Sequence, residues 1–309
     1  MKINLTRLLQ PKTIALVGGS WVENVASQIQ KSKFSGQVWP INPNREKIAG
    51  YRCYKSIDEL PEPPDAAFIG VNKNKTIEII RELEKIGCGG ATCFASGFSE
   101  TGPLGEKLQK KMLEAAREMP FLGPNCYGYL NYLDHIYMWP DQHGGRTVES
   151  GVAIIAQSSN IAINLTMQSR STPIAYVLTS GNQAKLDIAD LGLAMVEDPR
   201  VTAIGFYIEG IKDLRKFERM SLSALKKNKP IIALKSGKTD SSRSQSFSHT
   251  ASITGNSDIS NAFFERLGIV EVNDLDVFLE SLKIFHLAGR MENHSVISVS
   301  CSGGEASLV

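Results

Sequence analysis

Short runs of β-branched and apolar residues alternate with longer amphipathic stretches along almost the whole chain. That alternation restricts it to an α/β architecture, a parallel sheet flanked by helices. In the first half the pattern predicts strands at Thr13–Val17, Val38–Ile41, Ala66–Val71 and Ala91–Phe94, and helices near Val22–Phe34, Thr76–Ile86 and Leu104–Glu118. Gly36 and Gly87 fall just past helix ends, where a left-handed residue is wanted. The second half repeats the plan. Strands are expected at Val152–Ala156, Ile174–Leu178, Ala203–Ile208 and Ile231–Leu234, and helices at Ile161–Gln168, Leu186–Val196 and Leu214–Lys226. Gly255-Asn256-Ser257-Asp258 then opens another apolar helix-like pattern.

The stretch from Tyr132 to Ser150, rich in Gly, His and Asp, reads as an irregular seam. The expected division is a first domain over 1–130, an interdomain segment over 131–150 and a second domain over 151–290. At the carboxyl end, Ser295–Ser300 is a strand candidate and Ser302-Gly303-Gly304-Glu305 a helix start. A lone strand and half a helix cannot bury their apolar faces. Residues 291–309 therefore read as the start of a further domain. Val296–Ala306 also echoes Val152–Ala162, as two related domains in tandem would.

At 309 residues the chain has room for about two domains of ordinary size. A net charge of +2 argues against a dedicated nucleic-acid surface. No apolar run approaches the roughly 18 residues that span a bilayer, and Met1 to Pro11 lacks a signal-peptide core. The five cysteines, Cys53, Cys88, Cys93, Cys126 and Cys301, form no C-x-x-C pair. That pattern suits reduced thiols in a cytoplasmic protein, with neither a disulfide framework nor a metal site.

Thr13–Val17 runs into Gly18-Gly19-Ser20 and a helix, which in a doubly wound sheet aims backbone amides at a phosphate. The same turn also reads as a tight strand–helix connection with no ligand. A dinucleotide site wants an acid after the second strand. Here Ile41-Asn42-Pro43-Asn44-Arg45 follows, and Arg45 and Lys47 place positive charge there instead. Coenzyme A, with its 3′-phosphate, fits that pattern better than NAD, whose oxidoreductases would also leave residues 235–255 unexplained. Val71-Asn72, Ser96-Gly97 and Asn125-Cys126 end further strands and should converge on the same crevice. Nothing supplies Cys126 with a base, so it reads as packing or backbone geometry beside the ligand.

Ser158-Ser159-Asn160 opens a helix after a strand, as an anion site would; N-capping by Ser158 explains it equally. Gly181-Asn182 ends the next strand in similar style. Glu209, followed by Gly210, ends the third, where a carboxylate can orient an imidazole; a surface acid at a turn is the competing reading. The imidazole in question is His249, in a Ser-rich span flanked by Lys238 and Arg243. An imidazole there is poorly suited to packing and well suited to carrying a phosphoryl group. Tyr137-Met138-Trp139-Pro140, with Asp141 and His143 nearby, either walls an acyl pocket or fills the domain interface.

Taken in order and spacing, Val17-Gly18-Gly19-Ser20, Gly123-Pro124-Asn125-Cys126-Tyr127-Gly128, Gln157-Ser158-Ser159-Asn160, Gly181-Asn182, Glu209-Gly210 and Lys235-Ser236-Gly237-Lys238 through Ser248-His249-Thr250 resemble the acyl-CoA synthetase (NDP-forming) family. These are relatives of succinyl-CoA synthetase and ADP-forming acetate–CoA ligase. The resemblance implies a Rossmann-like CoA-binding domain, then a flavodoxin-like, succinyl-CoA synthetase-like domain. It implies that His249 is transiently phosphorylated, that Glu209 positions it, and that Ser158, Ser159, Asn160, Gly181 and Asn182 hold phosphate. Gly18, Gly19, Ser20, Asn42, Pro43, Arg45, Lys47, Val71, Asn72, Ser96, Gly97, Asn125 and Cys126 fall on the CoA side.

Two positions depart from the family pattern: Ser159 stands where Gly is usual, and Ala251 where Gly commonly follows His-Thr. Family chemistry turns acyl-CoA and phosphate into acyl phosphate and CoA, then passes the phosphoryl group to histidine and to ADP. ATP or ADP with Mg2+ is handled there by an ATP-grasp domain or subunit. None fits in these residues, so the chain alone is expected not to complete the ATP-linked reaction. An oligomer is expected from the family. The alternative is a non-catalytic CoA-binding or regulatory module of the same fold.

Overall fold

The computed structural model describes residues 4–236, 257–289, 295 and 297–308. His249, Lys238, Arg243 and Ala251 lie outside the described residues. The chain opens with a short helix α1 (Thr6–Leu9) and strand β1 (Thr13–Gly18), all six residues of which are buried. Helix α2 (Ser20–Ser32) follows. It buries Val22, Val25, Ala26 and Ile29, the one-sided stripe of an amphipathic helix against a sheet. Strands β2 (Gln37–Ile41), β3 (Lys47–Ile48), β4 (Tyr51–Arg52) and β5 (Ala66–Gly70), helix α3 (Lys73–Lys85), strand β6 (Ala91–Cys93), helix α4 (Pro103–Ala116) and strand β7 (Phe121–Leu122) complete the first unit.

The sheet order is β2-β1-β5-β6-β7, every pair parallel. The chain therefore builds outward from β1 in one direction, then crosses to the other side. Such a reversal leaves a crevice beyond the carboxyl ends of the two central strands. Gly18 and Gly70 face each other there in register. A Cβ on Gly18 would lie 2.6 Å from the Gly70 carbonyl oxygen, and Gly18 has φ +144°, so only glycine allows this approach. Gly87 takes the left-handed conformation expected of it. After α2, however, Lys33 adopts it, and Gly36 instead makes room for the Lys12 carbonyl.

The stretch expected to be irregular begins as a hairpin. Strands β8 (Tyr129–Asn131) and β9 (Ile136–Met138) pair antiparallel, and β8 adds antiparallel to the second sheet. That sheet continues with β10 (Gly151–Ala156), α5 (Ser159–Met167), β11 (Ile174–Thr179), α6 (Ile188–Glu197), β12 (Val201–Ile208), α7 (Leu214–Lys226) and β13 (Ile231–Lys235). Helix α8 (Ser257–Arg266), strand β14 (Val270–Val272) and helix α9 (Leu275–Ala288) follow. The order is β14-β13-β12-β10-β11-β8-β9, with a second reversal at β10 and β12. The strand expected at Ser295–Ser300 does not form at the described residues 297–300, which have no neighbouring strand to pair with. The helix start does form: α10 (Gly303–Ala306) is closed by a Ser302–Glu305 capping box.

A charge cluster ties the hairpin to the rest of the second sheet. Arg200 reaches Asp134 of the hairpin at 2.7 Å and Asp198 at 2.9 Å, and the Tyr176 hydroxyl donates to Asp198 at 3.0 Å. Burial alone would raise both carboxyls. The Arg200 hydrogen bonds and charge outweigh it, so both sit below the usual carboxylate range. Their contribution is therefore complete above the ordinary carboxylate pKa near ~4 and is lost as pH falls through the lowered values. Arg200→Met should cost about 2 kcal/mol at pH 7, less than a fully buried pair because the Arg200 side chain is 34% exposed. Denaturant melts at pH 7 and pH 3 check this: the wild-type advantage must shrink at the lower pH.

Candidate active site

The two strand reversals open onto one crevice of about 790 Å³. From the first unit, Val71, Asn72, Ser96, Asn125 and Cys126 line it. From the second come Ser158, Ser159, Asn160, Gly181, Asn182 and Glu209. Another cavity of similar size, about 800 Å³, lies against α1, α6 and α7 and shares none of these residues. The chemistry-bearing turns are therefore assembled at the first of the two.

Each wall is held by identifiable bonds. Asn72 caps α3, its side chain accepting from the Lys75 amide at 3.1 Å. Ser158 caps α5 by accepting from the Ile161 amide at 3.4 Å, so the capping reading holds for this residue at the rim of the crevice. Ser159, the first residue of α5, accepts from the Tyr127 amide at 3.1 Å, joining the two units. Gln157, 5% exposed, clasps the turn after β12. Its Oε1 accepts from the Glu209 amide and, at 2.9 Å, from the Gly210 amide, while its Nε2 donates to the Gly210 carbonyl at 2.5 Å. The backbone that carries the Glu209 carboxylate is thereby fixed.

The Gly181–Asn182 turn is laced to the Gly123–Asn125 turn of the other unit. The Asn182 amide donates to the Pro124 carbonyl and the Ala184 amide to the Gly123 carbonyl, both at 2.9 Å. The Asn182 side chain donates to Glu100, whose own carboxylate receives the Gly97 and Phe98 amides. Behind this turn the Lys212 ammonium donates to the carbonyls of Asn182 at 2.7 Å and Gln183 at 2.9 Å. Burial of that ammonium pulls its pKa down.

Several expected positions stand back from the crevice. Gly18, Gly19, Ser20, Asn42, Pro43, Arg45, Lys47 and Gly97 do not line it. Asn42 instead donates to the Gly18 carbonyl at 2.7 Å, fixing the turn from behind, and Arg45 pairs with Glu23 at 2.8 Å. Trp139 is fully buried against Tyr127, so it fills the interior and does not wall a pocket. His143 meets the Tyr132 hydroxyl at 3.0 Å, and burial pushes its pKa down to about 4. Trp21, Lys73, Phe94 and Tyr127 line the crevice and were not expected from the sequence. Among the described residues no group of three or more His, Cys, Asp or Glu is placed to hold a metal ion, and no helix is long and apolar enough to cross a membrane.

Cys126 is 2% exposed, and burial pushes its thiol up to about 12, which removes it as a nucleophile near neutrality. Cys53, Cys88 and Cys93 are buried too, whereas Cys301 is exposed. A thiol-reactive disulfide at pH 8 should therefore modify one cysteine promptly, Cys301, and four more only on unfolding. Cys126 reacting as fast as Cys301 in the native protein would contradict this assignment.

The chain matches two domain families, "CoA binding domain" over residues 12–132 and "Succinyl-CoA ligase like flavodoxin domain" over residues 149–285. It is 32% identical over 295 residues to the acetate–CoA ligase [ADP-forming] II subunit alpha of Pyrococcus furiosus, covering 91% of this chain and 62% of that one. It is 31% identical to acetate–CoA ligase [ADP-forming] II of Archaeoglobus fulgidus, covering 92% of this chain and 43% of the relative. The chain thus spans roughly two fifths to three fifths of the length of these relatives. Among solved structures, the dinucleotide forming acetyl-coenzyme A synthetase 1 of Ca. Korarchaeum cryptofilum, in complex with phosphate and ADP, superposes with a TM-score of 0.81. Its identity is 30%, over 90% of this chain and 61% of that one. With both domains matched in order and these relatives aligned across nine tenths of its length, the chain belongs to the NDP-forming acyl-CoA synthetase family.

Proposed function

We propose that this chain supplies the CoA-binding and phosphohistidine parts of an ADP-forming acid–CoA ligase. The observation that carries the reading is the single crevice where the turns after β5, β6 and β7 face those after β10, β11 and β12. One wall suits the thioester and the other suits phosphate. In the breakdown direction a phosphate oxygen attacks the thioester carbonyl, CoA leaves as the thiol after taking a proton, and acyl phosphate forms. His249 then attacks phosphorus and the carboxylate leaves. Ser158, Ser159, Asn160, Gly181 and Asn182 hold the phosphate, and Glu209 orients the imidazole through one ring nitrogen so that the other attacks. Val71, Asn72, Ser96, Asn125 and Cys126 bound the CoA arm. Transfer from phosphohistidine to ADP with Mg2+ belongs, in this reading, to an ATP-grasp domain on the same polypeptide or on a partner subunit.

In this reading the steps up to phosphohistidine call on no nucleotide domain, so this chain is the one to test. Incubation with radioactive phosphate and a panel of acyl-CoAs should label the protein. The label should be acid-labile and alkali-stable, and absent in His249→Ala. CoA binding by calorimetry without any label would instead favour a CoA-binding module that does not turn over or a site completed by further domains, and repeating the labelling with those domains present separates the two.

A further inference from the structure

Trp21, Phe94 and Tyr127 form an unbroken row of rings among the residues lining the crevice. Centroids are 4.7 Å apart for Trp21 and Phe94 and 5.6 Å for Phe94 and Tyr127, with both pairs tilted by 46°. The row is backed from within: Phe68 stands 6.0 Å from Phe94, and the buried Trp139 meets Tyr127 edge-on at 5.4 Å. Phe68 and Trp139 are fully buried in a close-packed interior, which leaves the outer rings no room to retreat. Trp21 keeps 44% of its surface exposed in the first turn of α2, a large apolar side chain left open at a ligand-sized cleft.

The row ends at the phosphate side. The Tyr127 amide donates to Ser159 at the start of α5, so position 127 adjoins the turn assigned to phosphate. In the acyl-CoA chemistry proposed above, that is where the acyl carbonyl meets phosphate, and the rest of the acyl group must lie beside it. A methyl group gains little from such a wall. An aryl group can stack offset or edge-on at the ring separations seen within the row, with a gain beyond simple area burial. We propose that this row selects the acid, and that the substrate is a carboxylic acid carrying an aryl or similarly flat apolar group. The proposal rests on the acyl-CoA reading and names its substrate class.

Calorimetry on the full chain with CoA, acetyl-CoA and phenylacetyl-CoA tests it, because the pantetheine arm is common to all three. Phenylacetyl-CoA should bind about 10-fold more tightly than acetyl-CoA. That advantage should fall to within about threefold in Tyr127→Leu and weaken in Trp21→Ala, with the affinity for CoA itself and the melting temperature as controls for folding. Trp21 is open enough that its variant keeps the test available if the Tyr127 variant does not fold. Equal affinity for the two thioesters, or an advantage that survives both substitutions, overturns the aryl assignment while leaving CoA binding intact. Failure to bind CoA at all overturns the acyl-CoA reading and this proposal with it.

Discussion

Glu209→Gln is expected to slow phosphoryl transfer to His249 by on the order of 10²-fold, with little change in thermal stability. Glu209 is the residue immediately after β12, at the second strand reversal, and lines the crevice. Its backbone is pinned by the Gln157 carboxamide, so the substitution leaves the turn in place and removes only the negative charge. A carboxylate that orients an imidazole also stabilises the positive charge that develops on it during attack on phosphorus; a neutral amide orients it but does not stabilise it. The difference corresponds to roughly 2.7 kcal/mol in the barrier. Single-turnover labelling from acyl-CoA and phosphate measures it directly. A rate within about threefold of wild type would remove Glu209 from the mechanism, whereas an unchanged melting temperature would show that the loss is not one of folding.

Gly181→Val is expected to lower the melting temperature by about 5 °C or more and to abolish tight phosphate binding. Gly181 has φ +51°, and a Cβ there would sit 2.3 Å from the Pro124 carbonyl oxygen and 2.5 Å from that of Asn125. Those atoms are backbone, so no side-chain rotation relieves the overlap. The two laced turns must separate, giving up the Asn182–Pro124 and Ala184–Gly123 bonds across the crevice. A β-branched residue adds a further penalty in a left-handed conformation. Thermal unfolding and phosphate titration together read the outcome. A variant that melts with wild type would mean that the turns open without cost.

What was legible in the sequence follows from what a strand leaves on the page. β1, β5, β10 and β11 are almost wholly buried, so each reads as an apolar run closed by small or polar residues. Because ligands gather at the carboxyl ends of such strands, the residues just after the runs pointed to the crevice: Asn72, Ser96, Asn125, Ser158, Asn182 and Glu209 line it. The hairpin of β8 and β9 did not show, since three-residue strands interrupted by Tyr132-Leu133-Asp134-His135 carry too little pattern to stand out. Gly18 and Asn42 read as the ends of two separate strands, but their bond to each other did not show, because 24 residues separate them. The aromatic row escaped for the same reason. Trp21 opens α2, Phe94 follows β6 and Tyr127 lies between β7 and β8, and no spacing in one dimension announces that their rings meet.

The hairpin also changes the order in which the protein can be made. The Tyr129 hydroxyl donates to the Leu8 carbonyl, and the Asn131 side-chain Nδ2 donates to that of Leu9 at 3.0 Å. Leu8 and Leu9 are buried, and β8 joins the second sheet by pairing with Tyr176–Leu178 of β11. The seat of α1 is therefore completed only when β11, far along the chain, has been made, a wait on the order of ten seconds at ordinary rates of synthesis. Until then α1 packs on β5 of the first unit, but the carbonyls of Leu8 and Leu9 lack their partners from the hairpin. A fragment ending at residue 130 would never outgrow that condition.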